Sequence, residues 1–226
     1  MCRDRIAVPG LVICCLVSLG LGCGTLPRSE PSAVSDRWVC PEFADLPLRH
    51  GLYEQAIKEH LRVLNEEPKN ALAHYHLGYA YGQLGEHASE VQEYERAVDL
   101  GLIREDLFFN LGMAYVELGA LDKAEQALRR VVTIAPDSGD NHRALGMVYY
   151  EQGHFHEAIA SCERATRLEP ENPLAWHCLA LALAGAGKLE DSRAAAERVR
   201  RLDARYPFDP VLLDLLQAPG GENQSP

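Results

Sequence analysis

Nine histidines and seven cysteines are the side chains of this 226-residue chain with ligand or nucleophile chemistry to offer. A zinc centre needs three or four ligands that converge on one point. His74 and His76 stand two residues apart, as do His154 and His156. On a helix that spacing turns the two rings to different faces, so neither pair is a ligand pair. A nucleophilic cysteine needs a base beside it and a third group to orient that base. Cys162 or Cys178 with His177 supplies the first two parts and no evident third. Nothing resembles a G-x-G-x-x-G turn after a strand, and no strand is convincing. The reading is therefore no catalytic residue, no metal ligand, no cofactor and no small-molecule substrate. Cys162 and Cys178 sit at helix positions that pack against neighbours and read as buried thiols. A disulfide between them requires Cα atoms within about 7 Å of each other.

The elements that would position these groups recur. Residues 139–170 read as two short helices back to back. Gly146, Leu145 and Tyr149 mark one face of the first, and Ala158, Cys162 and Ala165 one face of the second. Gly153 ends the first helix, where a left-handed backbone suits glycine. Pro170 stops the second. The same pattern returns every 34 residues: Gly51, Gly85, Gly119, Gly153 and Gly187 form one ladder. Leu77, Leu111, Leu145 and Leu179 form another, as do Gly78, Gly112 and Gly146. Tyr81, Tyr115 and Tyr149 follow, with Pro68, Pro136 and Pro170. A fixed period of this length marks a stacked-repeat architecture, in which each unit is stable only against its neighbours.

A bulky residue, then Leu-Gly, Tyr, Gly, Ala and Pro at set offsets resembles the tetratricopeptide repeat. Phe108 and Trp176 fill the bulky slot in the third and fifth copies, and His74 and His142 fill it in the second and fourth. The resemblance covers residues 37–205 and implies an all-α fold. Its form is a right-handed superhelical solenoid of about five helix-turn-helix repeats, near 37–70, 71–104, 105–138, 139–172 and 173–205. Some positions depart. Glu90 and Ser192 replace an alanine of the second helix, and Leu102 and Ala204 replace the proline. Pro41 and Pro47 break the first helix of the first copy, leaving its second helix, about 52–65.

In this family the first helices of the repeats, the A helices, line a concave groove. Carried over residue by residue, the groove positions are Tyr75 and Tyr79, then Phe109, Met113 and Val116, then Arg143, Met147 and Tyr150, then His177 and Leu181. For Tyr75 and Val116, packing between adjacent A helices fits as well as binding. The lining is aromatic and Met-rich and suits an apolar or amphipathic helix or an extended peptide. The clamp that some members use for a C-terminal carboxylate needs paired lysines and asparagines. Here only Asn110 and Arg143 stand near it, which implies weak or no binding of acidic C-terminal peptides.

The two ends read differently. Residues 1–22 have the layout of a signal peptide: Arg3 and Arg5, an apolar run over 11–21, then small residues. That run is too short for a membrane-spanning helix, which takes about 20 residues. The ending LGLGC resembles the bacterial lipoprotein box, with Cys23 as the acylated residue, although Gly20 stands where the box has leucine. An uncleaved anchor or plain secretion are the alternatives. Gly24 after the cysteine resembles lipoproteins sorted to the outer membrane, facing the periplasm. Residues 23–36 form a polar Pro- and Ser-containing tether. Residues 206–226 comprise a short segment that covers the last repeat and a polar tail.

The net charge of −11 is spread over helix faces and argues against nucleic acid. The expectation is a non-catalytic interaction module on the cell envelope, an adaptor or assembly scaffold that holds a peptide or helix in its groove. A regulatory subunit of an envelope enzyme and a cytosolic co-chaperone are the alternatives.

Overall fold

The computed structural model describes residues 38–208 and 210–217. The expectations for the signal, the tether, Cys23 and the polar tail lie outside these residues. The described chain is a run of helices with no strand. They are α1 (Glu42–Arg49), α2 (Tyr53–Glu66), α3 (Ala71–Gln83), α4 (His87–Asp99), α5 (Glu105–Glu117), α6 (Leu121–Ile134), α7 (Gly139–Glu151), α8 (Phe155–Leu168), α9 (Pro173–Gly185), α10 (Leu189–Leu202) and α11 (Pro210–Gln217). The first ten form five antiparallel pairs, an A helix and a B helix in each, stacked as a solenoid. The four A helices from α3 onward begin 34 residues apart, and so do the five B helices.

The local chemistry explains these bounds. Asn70, Ser138 and Asn172 cap α3, α7 and α9 by accepting a hydrogen bond from the backbone N–H of Ala73, Asn141 and Leu174. Arg104 holds the same place before α5 and makes no such cap. The turn between A and B helices needs a left-handed residue, and Gly51, Gly85, Gly119, Gly153 and Gly187 supply it with φ of 69–76°. The bulky slot also ties one repeat to the last. His142 Nε2 lies 2.8 Å from the Pro136 carbonyl, and Trp176 Nε1 donates to the Pro170 carbonyl at 2.8 Å. His74 Nε2 makes the same contact to Pro68 at 3.3 Å, while its Nδ1 lies 2.6 Å from Glu93. These two histidines are therefore structural.

Within a pair, the A and B helices cross where the A helix has no side chain. A Cβ on Gly78 would stand 2.6 Å from the Tyr94 ring, one on Gly112 2.8 Å from Leu128 Cγ, and one on Gly146 2.6 Å from Cys162 Sγ. Tyr94, Leu128 and Cys162 are fully buried. Departures from the pattern are compensated nearby. Glu90 is buried because Gly82 opposite leaves it room: a Cβ there would meet its carboxylate at 2.3 Å. His87 Nδ1 lies 2.9 Å from that carboxylate, and burial pushes the Glu90 pKa up. Ser192 donates its hydroxyl to the Ala180 carbonyl at 2.7 Å.

Two expectations change. Pro41 shortens the first A helix without abolishing it: it stands at the N-cap with extended geometry, and α1 keeps 8 residues where α3 has 13. Pro47 lies in the last turns of this eight-residue helix, so it removes a single intrahelical bond. The buried-thiol reading of Cys162 and Cys178 gives way to a disulfide. Their Cα atoms are 5.6 Å apart and the bond joins α8 to α9.

Gly78→Ala gains about 1 kcal/mol in helix propensity and meets an overpacking cost of about 1–3 kcal/mol against a buried ring. The expected result is a net loss, read as a lower urea midpoint. For the disulfide, whose cysteines are 16 residues apart, the Cys162→Ala/Cys178→Ala pair should lower stability by about 2–4 kcal/mol. Alkylation of the denatured but unreduced protein should leave both cysteines unlabelled, and labelling of both would contradict the bond.

Candidate functional site

The A helices carry the groove positions. Among successive A helices, α7 and α9 make the most extensive contact. A cleft of about 500 Å³ is lined mainly by α5 and α7. Phe109, Met113 and Val116 of α5 line it from one side, and Arg143 and Met147 of α7 from the other. Leu121 and Val148 add to an apolar wall, and Glu151 joins the lining. Met113 is 37% exposed, a large apolar side chain left in solvent. The Arg143 guanidinium is held by Asp140 at 3.1 Å, one turn back on its own helix. Five of the ten sequence-derived positions thus share one cleft, and Val116 belongs to it.

The other five do not. Tyr75 is buried, stacks on Tyr94 with centroids 5.8 Å apart, and carries the Arg104 guanidinium over its ring at 5.1 Å. Burial lifts its phenol well above the usual range, and Asp106 beside it adds to the shift. Tyr75 is a packing residue. Tyr79 is half-exposed and sets its ring edgewise to Tyr53 at 6.4 Å. Tyr150 is absent from the cleft lining and packs against Phe155, centroids 5.9 Å apart. Phe155 reaches there because Gly185 has no Cβ, which would meet its ring at 2.3 Å. His177 is covered by Tyr206 at 5.1 Å and Phe208 at 6.5 Å. Leu181 is 5% exposed and lies in one core cluster with fully buried Leu212 of α11. The segment from Tyr206 onward therefore occupies the end of the groove that His177 and Leu181 were expected to line.

Models of the tetratricopeptide repeat match residues 49–85, 71–100, 105–138 and 143–210. This chain is built of tetratricopeptide repeats. Solved structures agree on the fold. A MamA crystal structure superposes with a TM-score of 0.69 at 22% identity, covering 74% of this chain and 100% of that one. YrrB, described as a TPR protein with an unusual peptide-binding site, superposes with a TM-score of 0.71 at 21% identity, covering 76% and 88%. MamA from residue 41 to the end, from Desulfovibrio magneticus RS-1, gives 0.65 at 20% identity over 71% and 89%. No curated protein matches the sequence.

A second cleft, of about 590 Å³, lies at the first-repeat end of this tetratricopeptide solenoid, lined by Tyr75, Tyr79, Arg104, Cys40, Asp45 and His76 among others. Behind it the thiol of Cys40, a carboxylate oxygen of Asp45 and one ring nitrogen each of His60 and His76 lie within 4.8 Å of one another. Burial pushes both imidazoles down to about 4, so each is neutral at pH 7. Burial, reinforced by Asp45 and Glu67, pushes the Cys40 thiol up to about 12. Spacing along one helix disposes of His74 with His76, and the structure keeps those two apart. The same reasoning is blind to His60, which reaches His76 from a different helix. Spacing along a single helix could not bring these four residues together as one group.

Proposed function

We propose that this chain is a non-catalytic interaction module that holds an apolar stretch of a peptide or helix in the cleft between α5 and α7. The observation that carries this reading is the cleft itself: an exposed methionine, a second methionine and a phenylalanine around a gap that the chain leaves uncovered. Methionine side chains are unbranched and polarisable, so such a wall adapts to different apolar partners. A leucine or phenylalanine side chain seated there removes enough apolar surface from water for about 1.5–3 kcal/mol, roughly 10- to 150-fold in affinity. Arg143 and Glu151 flank the apolar wall with opposite charges and would orient the guest. YrrB, a structure of the same fold, is described as carrying a peptide-binding site.

The module is tethered to the bacterial cell envelope through a lipidated Cys23, with the repeats in the periplasm as an adaptor or assembly scaffold. What supports this is the layout of residues 1–36 and the Cys162–Cys178 bond. Disulfides persist in oxidising compartments such as the periplasm and are rare in the cytosol. That observation also sets the envelope reading above the cytosolic co-chaperone.

Two experiments test these proposals. On an array of apolar and amphipathic peptides, the wild-type protein should bind a subset that the Met113→Glu/Met147→Glu variant binds at least about tenfold more weakly. The variant must keep its helical circular dichroism, and equal binding by both proteins ends the cleft proposal. The intact mass of the protein from native membranes should correspond to a chain that starts at acylated Cys23, and Cys23→Ala should abolish that species. A mass that retains residues 1–22 sinks the tether and leaves the cleft untouched.

A further inference from the structure

The first repeat lacks the apolar crossing that holds the others. Its buried cluster is small: Cys40, Ala44, Val63 and Ala73. His60 stands where the 34-residue ladder puts Tyr94, Leu128 and Cys162 in the next three repeats. It is 0% exposed, and neither of its ring nitrogens has a hydrogen-bond partner. A buried polar group left unmet costs about 1–3 kcal/mol. Asp45 stands where the same ladder puts Tyr79, Met113, Met147 and Leu181. Its Oδ1 is also buried and unpartnered. Polar donors have thus replaced large side chains at two of the positions that build the later repeats.

The geometry of these donors is specific. Asp45 Oδ1 lies 2.9 Å from His76 Nδ1 and 3.7 Å from His60 Nε2. The shorter contact has the length of a hydrogen bond but not its direction, since both atoms remain without a hydrogen-bond partner. Three buried polar atoms thus stand close together without satisfying one another. Cys40, a free and buried cysteine, closes the set.

We propose that Cys40, Asp45, His60 and His76 bind one zinc-class divalent cation, which clips the segment before α1 to α1, α2 and α3. Two imidazole nitrogens, a sulfur and a carboxylate oxygen suit tetrahedral zinc. Zinc bond lengths of 2.0–2.3 Å set ligand-to-ligand edges of about 3.3–3.8 Å, so on binding the 2.9 Å pair opens slightly, the 3.7 Å pair already fits, and no edge beyond these closes from more than 4.8 Å. A thiolate and a carboxylate offset the two positive charges and leave the buried site neutral. Calcium and magnesium prefer six or more oxygen ligands and are excluded. The cleft lined by Cys40, Asp45 and His76 gives the ion a way in. Of the two arginines in this cleft, Arg104 is engaged by Asp106 at 2.6 Å and Arg49 by Glu42 at 3.6 Å. Four protein ligands leave no open position, so the site is structural. It takes the place of the apolar core that the first repeat lacks, and it acts on stability independently of the α5–α7 cleft.

The test uses the full chain with Cys2, Cys14, Cys15 and Cys23 changed to serine, stripped of metal and titrated with cobalt(II). One equivalent should give the visible bands of tetrahedral cobalt and a near-ultraviolet sulfur-to-metal band. Zinc should displace the cobalt and raise the melting temperature, and magnesium should do neither. Cys40→Ser should abolish the sulfur band, and His76→Gln should weaken binding by more than about tenfold. A wild-type-like helical spectrum with no tetrahedral cobalt signal at one equivalent overturns the proposal. So does a cobalt spectrum that survives unchanged in both variants. His60→Gln is the less useful variant, because that side chain is fully buried.

Discussion

Everything in this solenoid depends on one close crossing repeated down the stack. At Gly78, Gly112 and Gly146 the A helix offers bare backbone, and a large side chain of the B helix fills the space. A glycine inside a helix weakens it by about 0.5–1 kcal/mol relative to alanine. The packing it permits buries Tyr94, Leu128 and Cys162 completely. The crossing sets how the A helix faces its partner, and so which of its residues point away. Phe109, Met113, Arg143 and Met147 line a cleft because their helices are held by the opposite face.

The repeats are not copies of one another, and the differences have physical reasons. Where the B helix carries Glu90 in place of alanine, its A helix carries Gly82. Where it carries Ser192, the hydroxyl finds a carbonyl. Where Arg104 takes the cap position before α5, it cannot accept from the helix N-terminus, and it instead pairs with Asp106 and covers Tyr75. In the fourth repeat the crossing position is a cysteine, and the bond it makes to Cys178 ties α8 to α9. Stability in a stack is a sum over neighbours, so each junction can be braced by different chemistry.

The ends of the stack face the same problem and solve it differently. An end repeat has one neighbour, so half of its apolar surface needs another cover. At the C-terminal end, Tyr206, Phe208 and Leu212 supply it, and they take His177 and Leu181 out of the groove. At the N-terminal end α1 is short, the core is small, and four polar donors meet inside it. Between the two ends, residues of α5 and α7 line the apolar cleft.

The sequence alone determined the helical class, the 34-residue register and the turn glycines. These depend on local backbone preference and on helical period, which neighbouring residues report. By spacing it also put Phe109, Met113 and Val116 on one face of their helix and Arg143 and Met147 on one face of theirs, while the shared groove was what the tetratricopeptide resemblance implied. What it could not reach were contacts between residues far apart in the chain. Tyr75 and His177 have the right spacing, yet Tyr94 and Tyr206 claim them. His60 and His76 lie on separate helices, and nothing along either helix shows that they meet. Cys162 and Cys178 are legible as buried but not as bonded, because the bond depends on a 5.6 Å approach set by how α8 packs on α9. Tertiary structure decided these points, because packing, unlike periodicity, depends on which surfaces compete for the same space.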